Sequence, residues 1–156
     1  MKSASTDEIL TFVRTFARFE YSLKAAGYLC PSEDDAKPDW ERYGRTISGE
    51  AFVVAPEDVH ASVTYFVAAP PQKQVAPEGR LRFVPGLPTT TPGSAVWLIT
   101  MIRRVRNNLF HGGKEVRPDQ LNPERDRLLI CHAVTILNHF LGLKSSRSVA
   151  TRYRAD

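Results

Sequence analysis

Cysteine is scarce in this chain. Cys30 and Cys131 are the only two, and no Cys-x-x-Cys spacing occurs, which argues against a disulfide framework and a structural zinc site. Long apolar runs are missing too, and no stretch approaches the roughly 20 residues that a membrane-spanning helix needs. The opening residues, Met1 to Glu8, are polar and acidic, unlike the basic-then-apolar pattern of a secretory leader. These absences predict a chain that does not enter a membrane and that works in a reducing cytoplasm. Acid does not dominate either. Twenty-one Lys and Arg stand against 17 Asp and Glu, a formal net charge of +4. That balance favours an anionic partner modestly and equally suits a merely soluble basic protein. At 156 residues, with no repeat or low-complexity tract, the chain fits one domain with its own core.

Carboxylates are also missing where the sequence concentrates its other chemistry. An apolar helical run, Val96 to Ile102, ends in Arg103-Arg104-Val105-Arg106-Asn107-Asn108-Leu109-Phe110-His111-Gly112-Gly113-Lys114. Arginine is always charged and grips phosphate oxygens through a planar fork. Histidine can exchange a proton near neutral pH. An Arg–Asn–His cluster without carboxylates suits phosphodiester chemistry performed without a metal or cofactor. The other account is a helix C-terminus in which the three arginines complement the macrodipole and His111 serves as a cap.

The rest of the chain reads as helices joined by one long proline-rich segment. Ser5 and Glu8 form a capping-box pattern ahead of Ile9, Phe12, Val13, Phe16, Phe19 and Leu23 at helical spacing, with Gly27 as the stop. On that helix Arg14 and Arg18 suit a solvated face, and Glu20 could orient an active-site group. An acidic connection, Pro31 to Pro38, leads to a second helix over 39–47 anchored by Trp40, Tyr43 and Ile47. The stretch from Gly49 to Ala55 is ambiguous between extended chain and turn. Pro56 as the first helical residue opens a third helix, with Val59, Val63, Phe66 and Val67 as its core stripe. Six prolines between Pro70 and Pro92 exclude a regular helix there, and Leu81 to Val84 could form a brief strand. Lys73, Arg80 and Arg82 in this segment could hold an RNA backbone or simply decorate a wrapping loop. Thr91-Pro92 is expected to cap the motif helix, which runs to Phe110 or His111. Arg117-Pro118-Asp119 marks a turn, and Asn122-Pro123 starts a last helix that is apolar on nearly every side. The predicted fold is an all-α, up-and-down bundle of about five helices over 1–143. A basic tail follows over 144–156, with Arg147, Arg152 and Arg154.

Arg106-Asn107-Asn108-Leu109-Phe110-His111 resembles the signature of HEPN domains, an arginine and a polar residue followed by a histidine. HEPN domains are small all-α bundles found in prokaryotic toxins, defence systems and RNA-processing enzymes. The resemblance covers most of the chain as architecture and this one stretch as chemistry. It implies a metal-independent endoribonuclease without cofactor, acting as a symmetric homodimer on RNA. It also implies the toxin half of a toxin–antitoxin or phage-defence module, with an antitoxin protein as a further partner.

In that mechanism the substrate's 2′-OH is the nucleophile. His111 acts as general base or acid, Arg106 neutralises the phosphorane-like transition state, and Asn107 holds the phosphate or orients the imidazole. Arg103, Arg104, Lys114 and Lys73 are the expected RNA-binding residues. Asn107 and His111 are i and i+4 and share a face, as does Arg104, whereas Arg106 lies about 140° from His111 on a straight helix. Either the helix distorts, the arginine arm reaches round, or the two meet across a dimer. The helix C-terminus favours imidazolium at His111 and the neighbouring arginines disfavour it. A catalytically silent HEPN-type domain that binds RNA, a nucleotide or a protein is the alternative function. Elsewhere, Cys131-His132 reads as packing because adjacent helix residues diverge. His132 and His139 suit an interface better than a metal, and His60 has no evident partner.

Overall fold

The computed structural model describes residues 2–31, 35–110 and 122–143. Among the described residues the fold has five α-helices and one small hairpin. The helices are α1 (Thr6–Ala25), α2 (Trp40–Ile47), α3 (Glu57–Ala68), α4 (Ala95–Phe110) and α5 (Pro123–Gly142), with strands β1 (Lys73–Val75) and β2 (Arg82–Val84) between α3 and α4. Among the described residues, no helix is long and apolar enough to cross a membrane. Gly112, Gly113, the turn at Arg117 and the basic tail over 144–156 lie outside the described residues.

Local chemistry sets the helix ends. Ser5 Oγ accepts the Glu8 N–H at 3.2 Å while Glu8 Oε2 accepts the Ser5 N–H at 2.8 Å, so the expected capping box is present. At the far end of α1, Gly27 sits at φ 80°. Tyr28 N–H there reaches back to Leu23 O and Gly27 N–H to Lys24 O, both at 3.0 Å. This pair of reversed bonds satisfies carbonyls the helix would otherwise orphan. Asp39 caps α2 and Asn122 caps α5, each accepting the N–H three residues on at 3.0 Å. Pro56 is the N-cap of α3 and not its first helical residue, so the helix starts one residue later than expected. The start of α4 also differs. Gly93 takes φ 81°, which a helix cannot include, so Ser94 is the cap and its Oγ accepts the Trp97 N–H at 3.3 Å.

The helices pack mainly on partners distant in sequence. α5 lies between α1 and α3, α2 lies on α4, and α4 closes on α5. The core is Phe12, Phe16, Phe19 and Leu23 of α1, Tyr43 and Ile47 of α2, Phe66 of α3, and the inner faces of α4 and α5. Tyr43 donates its hydroxyl to Phe140 O at 3.3 Å inside this core. In α3 the stripe differs from expectation at two positions. Val67 is exposed, and Ser62 is buried instead. The stretch from Gly49 to Ala55 forms turns: Ala51 is buried, and Val53 and Val54 face outward.

Two strands form where one was expected. β1 and β2 pair antiparallel, Lys73 with Val84, Gln74 with Phe83 and Val75 with Arg82. Five residues separate Pro71 from Pro77, enough for one three-residue strand free of proline.

Candidate functional site

α4 divides its surface between packing and chemistry. Trp97, Leu98, Met101, Ile102 and Val105 face the core, and this leaves Arg103, Arg104, Arg106 and Asn107 along the outer face of the helix's last turns. Clefts lie on both sides of this ridge.

The hairpin forms the wall of the first cleft, about 470 Å³, lined by Lys73, Gln74, Thr100, Arg103, Arg104, Asn107 and Asn108. Three cationic side chains and three amides meet there, and no carboxylate is among its lining residues. The expected RNA contacts Lys73, Arg103 and Arg104 thus share one cleft. Arg104 donates to Pro71 O at 3.1 Å, Pro85 O at 3.0 Å and Gly86 O at 2.9 Å. Desolvation in this setting lowers the Arg104 pKa from its ordinary value.

The second cleft, about 490 Å³, opens toward α1 and α2. Phe16, Trp40, Arg103, Arg106 and Asn107 line it, and so do Glu20, Asp39 and Glu41. Carboxylates are therefore close to the arginine cluster, contrary to what the local sequence suggests, because they arrive from two other helices. Each has a cationic neighbour: Glu20 with Lys24 at 3.3 Å, Asp39 with Arg42 at 4.0 Å, and Glu41 with Arg45. Arg103 spreads over the Trp40 ring, 5.1 Å from its centroid. Desolvation lowers the Arg103 pKa, and the charge of Glu20 pulls it back up.

Arg106 curls along its own helix. Its Nη1 donates to Asn107 Oδ1 at 3.1 Å, and its guanidinium lies 5.1 Å from the Phe110 ring centroid and 6.0 Å from that of Phe16. A smaller hollow of about 340 Å³, lined in part by Val13, Tyr21, Arg106 and Phe110, continues from there along α1. Arg106 and Asn107 are thus in direct contact. His111 and Lys114 lie outside the described residues.

The remaining candidates are engaged in packing. Cys131 faces Glu8, 3.6 Å from Sγ to Oε1, whereas His132 faces α3 and lies 2.9 Å from Ser62 Oγ, with its ring stacked on Tyr65 at 4.5 Å. Burial raises the Cys131 pKa, with Glu8 adding to it, and burial lowers that of His132. Ser62 is only 1% exposed, so this serine–histidine pair cannot meet a substrate. His139 holds Ala51 O at 2.6 Å, so both histidines of α5 have partners within the chain. Among the described residues, no group of three His, Cys, Asp or Glu is placed to hold a metal ion.

No family model matches the chain, and neither a curated protein nor a solved structure does. What the site can do follows from its geometry. Sequence reasoning named the cationic residues but not the surfaces that complete the clefts, namely Gln74, Thr100, Asn108 and Trp40. Trp40 stood out only as a packing anchor. Between Pro71 and Pro77 only Val75 is β-branched, so the sequence carries little local signal for β1.

Proposed function

We propose that the α4 ridge and the hairpin cleft bind RNA, and that the chain is a metal-independent endoribonuclease cleaving through the substrate's own 2′-OH. The observation that carries this reading is the hairpin cleft, where Lys73, Arg103 and Arg104 converge beside Asn107 and Asn108 without a carboxylate. Phosphate contacts dominate nucleic-acid affinity, and amides beside guanidiniums suit the non-bridging oxygens. His111, four residues beyond Asn107 in the sequence, takes the 2′-OH proton. The 2′-oxygen attacks phosphorus, the P–O5′ bond breaks, and the leaving 5′-oxygen takes a proton from water. The products are a 2′,3′-cyclic phosphate and a 5′-OH. Arg106, with Asn107 against it, supplies positive charge to the transition state. The metal-free expectation draws on the hairpin cleft, whose lining holds no carboxylate, whereas Glu20, Asp39 and Glu41 line the second cleft.

Cleavage of single-stranded RNA by wild type, His111→Ala and Arg106→Ala, each in excess EDTA, tests the proposal. Activity is expected to persist in EDTA and to fall about 10²–10⁴-fold in His111→Ala, with RNA affinity little changed. Arg106→Ala should lower both rate and affinity. Chelation that abolishes cleavage, with rescue by Mg²⁺ or Mn²⁺, would move the chain to a metal-dependent class. Equal cleavage by wild type and His111→Ala would favour the second reading, an RNA-, nucleotide- or partner-binding domain, since the hairpin cleft does not require an imidazole.

A symmetric homodimer with the two Arg106 sites near its axis completes the proposal, supported by the exposed Phe110 and Tyr21 beside Arg106. A monomeric mass at micromolar concentration would refute the dimer. An antitoxin protein is the proposed further partner.

A further inference from the structure

The hairpin has little to hold it up by itself. A two-stranded ribbon of three-residue strands is marginal in water, and its approaches are rich in proline, which has no N–H to give. Side chains of two helices support it instead. Arg104 reaches Pro71 O at 3.1 Å, Pro85 O at 3.0 Å and Gly86 O at 2.9 Å. Asn108 Nδ2 reaches Gln72 O at 2.9 Å, and Arg125 reaches Pro70 O. Both feet of the hairpin are therefore clamped, and among the described residues Arg104 is the one that bridges the two.

One foot bears directly on Lys73. Gly86 takes φ 46°, and a Cβ placed there would lie 3.3 Å from Lys73 Cβ and 3.4 Å from its Cδ. The residue whose carbonyl Arg104 holds is thus the one against which the lysine stem rests. The sequence places Arg104 among the phosphate contacts, but three of its N–H groups are occupied by carbonyls.

We infer that Arg104 is a positioning residue: it fixes the hairpin foot so that Lys73 meets a phosphate of the bound strand across the cleft from Arg103. The inference rests on the RNA-binding reading above. Lysine at position 104 keeps the charge but lacks the planar fork that spans three carbonyls, so charge and positioning separate in one substitution.

The test measures binding of a short single-stranded RNA to His111→Ala protein across a salt series. Adding Lys73→Ala should reduce the slope of log affinity against log salt by about 0.7, the loss of one phosphate contact on a single strand. Arg104→Lys should lower affinity and slope as Lys73→Ala does, and should change neither further once Lys73 is alanine. A wild-type slope in Arg104→Lys, or an effect that adds to Lys73→Ala, would make Arg104 a direct phosphate contact and overturn the inference. If the parent protein binds no RNA, the RNA reading fails separately. Amide exchange then decides the positioning role. Faster exchange in β1 and β2 of Arg104→Lys, with α1 and α5 unchanged, supports it, and unchanged exchange in the strands refutes it.

Discussion

Glu8 accepts the Ser5 N–H at 2.8 Å and pairs with Arg127 at 2.9 Å, so one carboxylate both closes the cap of α1 and ties α1 to α5. The backbone bond from Ser5, helped by Arg127, lowers its pKa to about 2 against the opposing effect of burial. A carboxylate whose folded pKa is depressed contributes stability above its unfolded value, about 4.5, and loses it as pH falls toward the folded one. Glu8→Gln is therefore expected to be less stable than wild type at neutral pH, with the gap closing between about pH 4.5 and 2. Denaturant titrations of both proteins across that range check it, and a pH-independent gap would contradict it. Ser62 gives a second expectation. Its Oγ bonds Asp58 O at 2.7 Å and His132 Nδ1 at 2.9 Å, so Ser62→Ala strands a half-buried imidazole nitrogen. A loss of about 1–3 kcal/mol is expected, with RNA cleavage per folded molecule unchanged. Lost cleavage in a stably folded Ser62→Ala protein would bring the pair back as a site.

Among the elements, α2 is the one on which the second cleft depends, and Gly44 is where it touches α4. A Cβ at Gly44 would stand 2.8 Å from Val96 Cγ2 and 3.0 Å from Val96 Cα, too close for the two backbones to keep their separation. Gly44→Ala is expected to cost about 1–3 kcal/mol through this overpacking, despite alanine's better helix propensity. It should also shift Trp40 from beneath Arg103, which changes in the Trp fluorescence spectrum would report; a neutral or stabilising effect in thermal melts would contradict the contact. The sequence showed where most helices begin, because the Ser5–Glu8 box and Asn122-Pro123 are local devices. It misplaced the start of α4 because Thr91 and Ser94 are both good caps. Only the left-handed Gly93 decides between them. Val67 was misassigned for a different reason: a short helix packed chiefly on α5 buries a narrower stripe than periodicity alone suggests, and Ser62 enters because His132 gives it a partner.

For the whole molecule, apolar spacing was enough to predict a five-helix bundle, since each stripe is written within about 20 residues of sequence. The site was legible only in part. Arg103, Arg104, Arg106 and Asn107 are neighbours in the chain, but Lys73 reaches them through a hairpin that proline content concealed. Glu20, Asp39 and Glu41 reach them through packing that no local pattern records. The same long-range packing governs when the protein can fold. Glu8 meets Cys131 across 123 residues and Tyr43 meets Phe140 across 97, so α1 and α2 await a helix that the ribosome makes after both of them. A nascent chain arrested before Asn122 would carry Phe12, Phe16 and Phe19 without the cover of α5. It is expected to be digested by protease concentrations that the released chain survives. Whatever the clefts beside α4 do, they are expected to start doing it only once Asn122 to Gly142 has left the ribosome, because the bundle that carries α4 closes on α5.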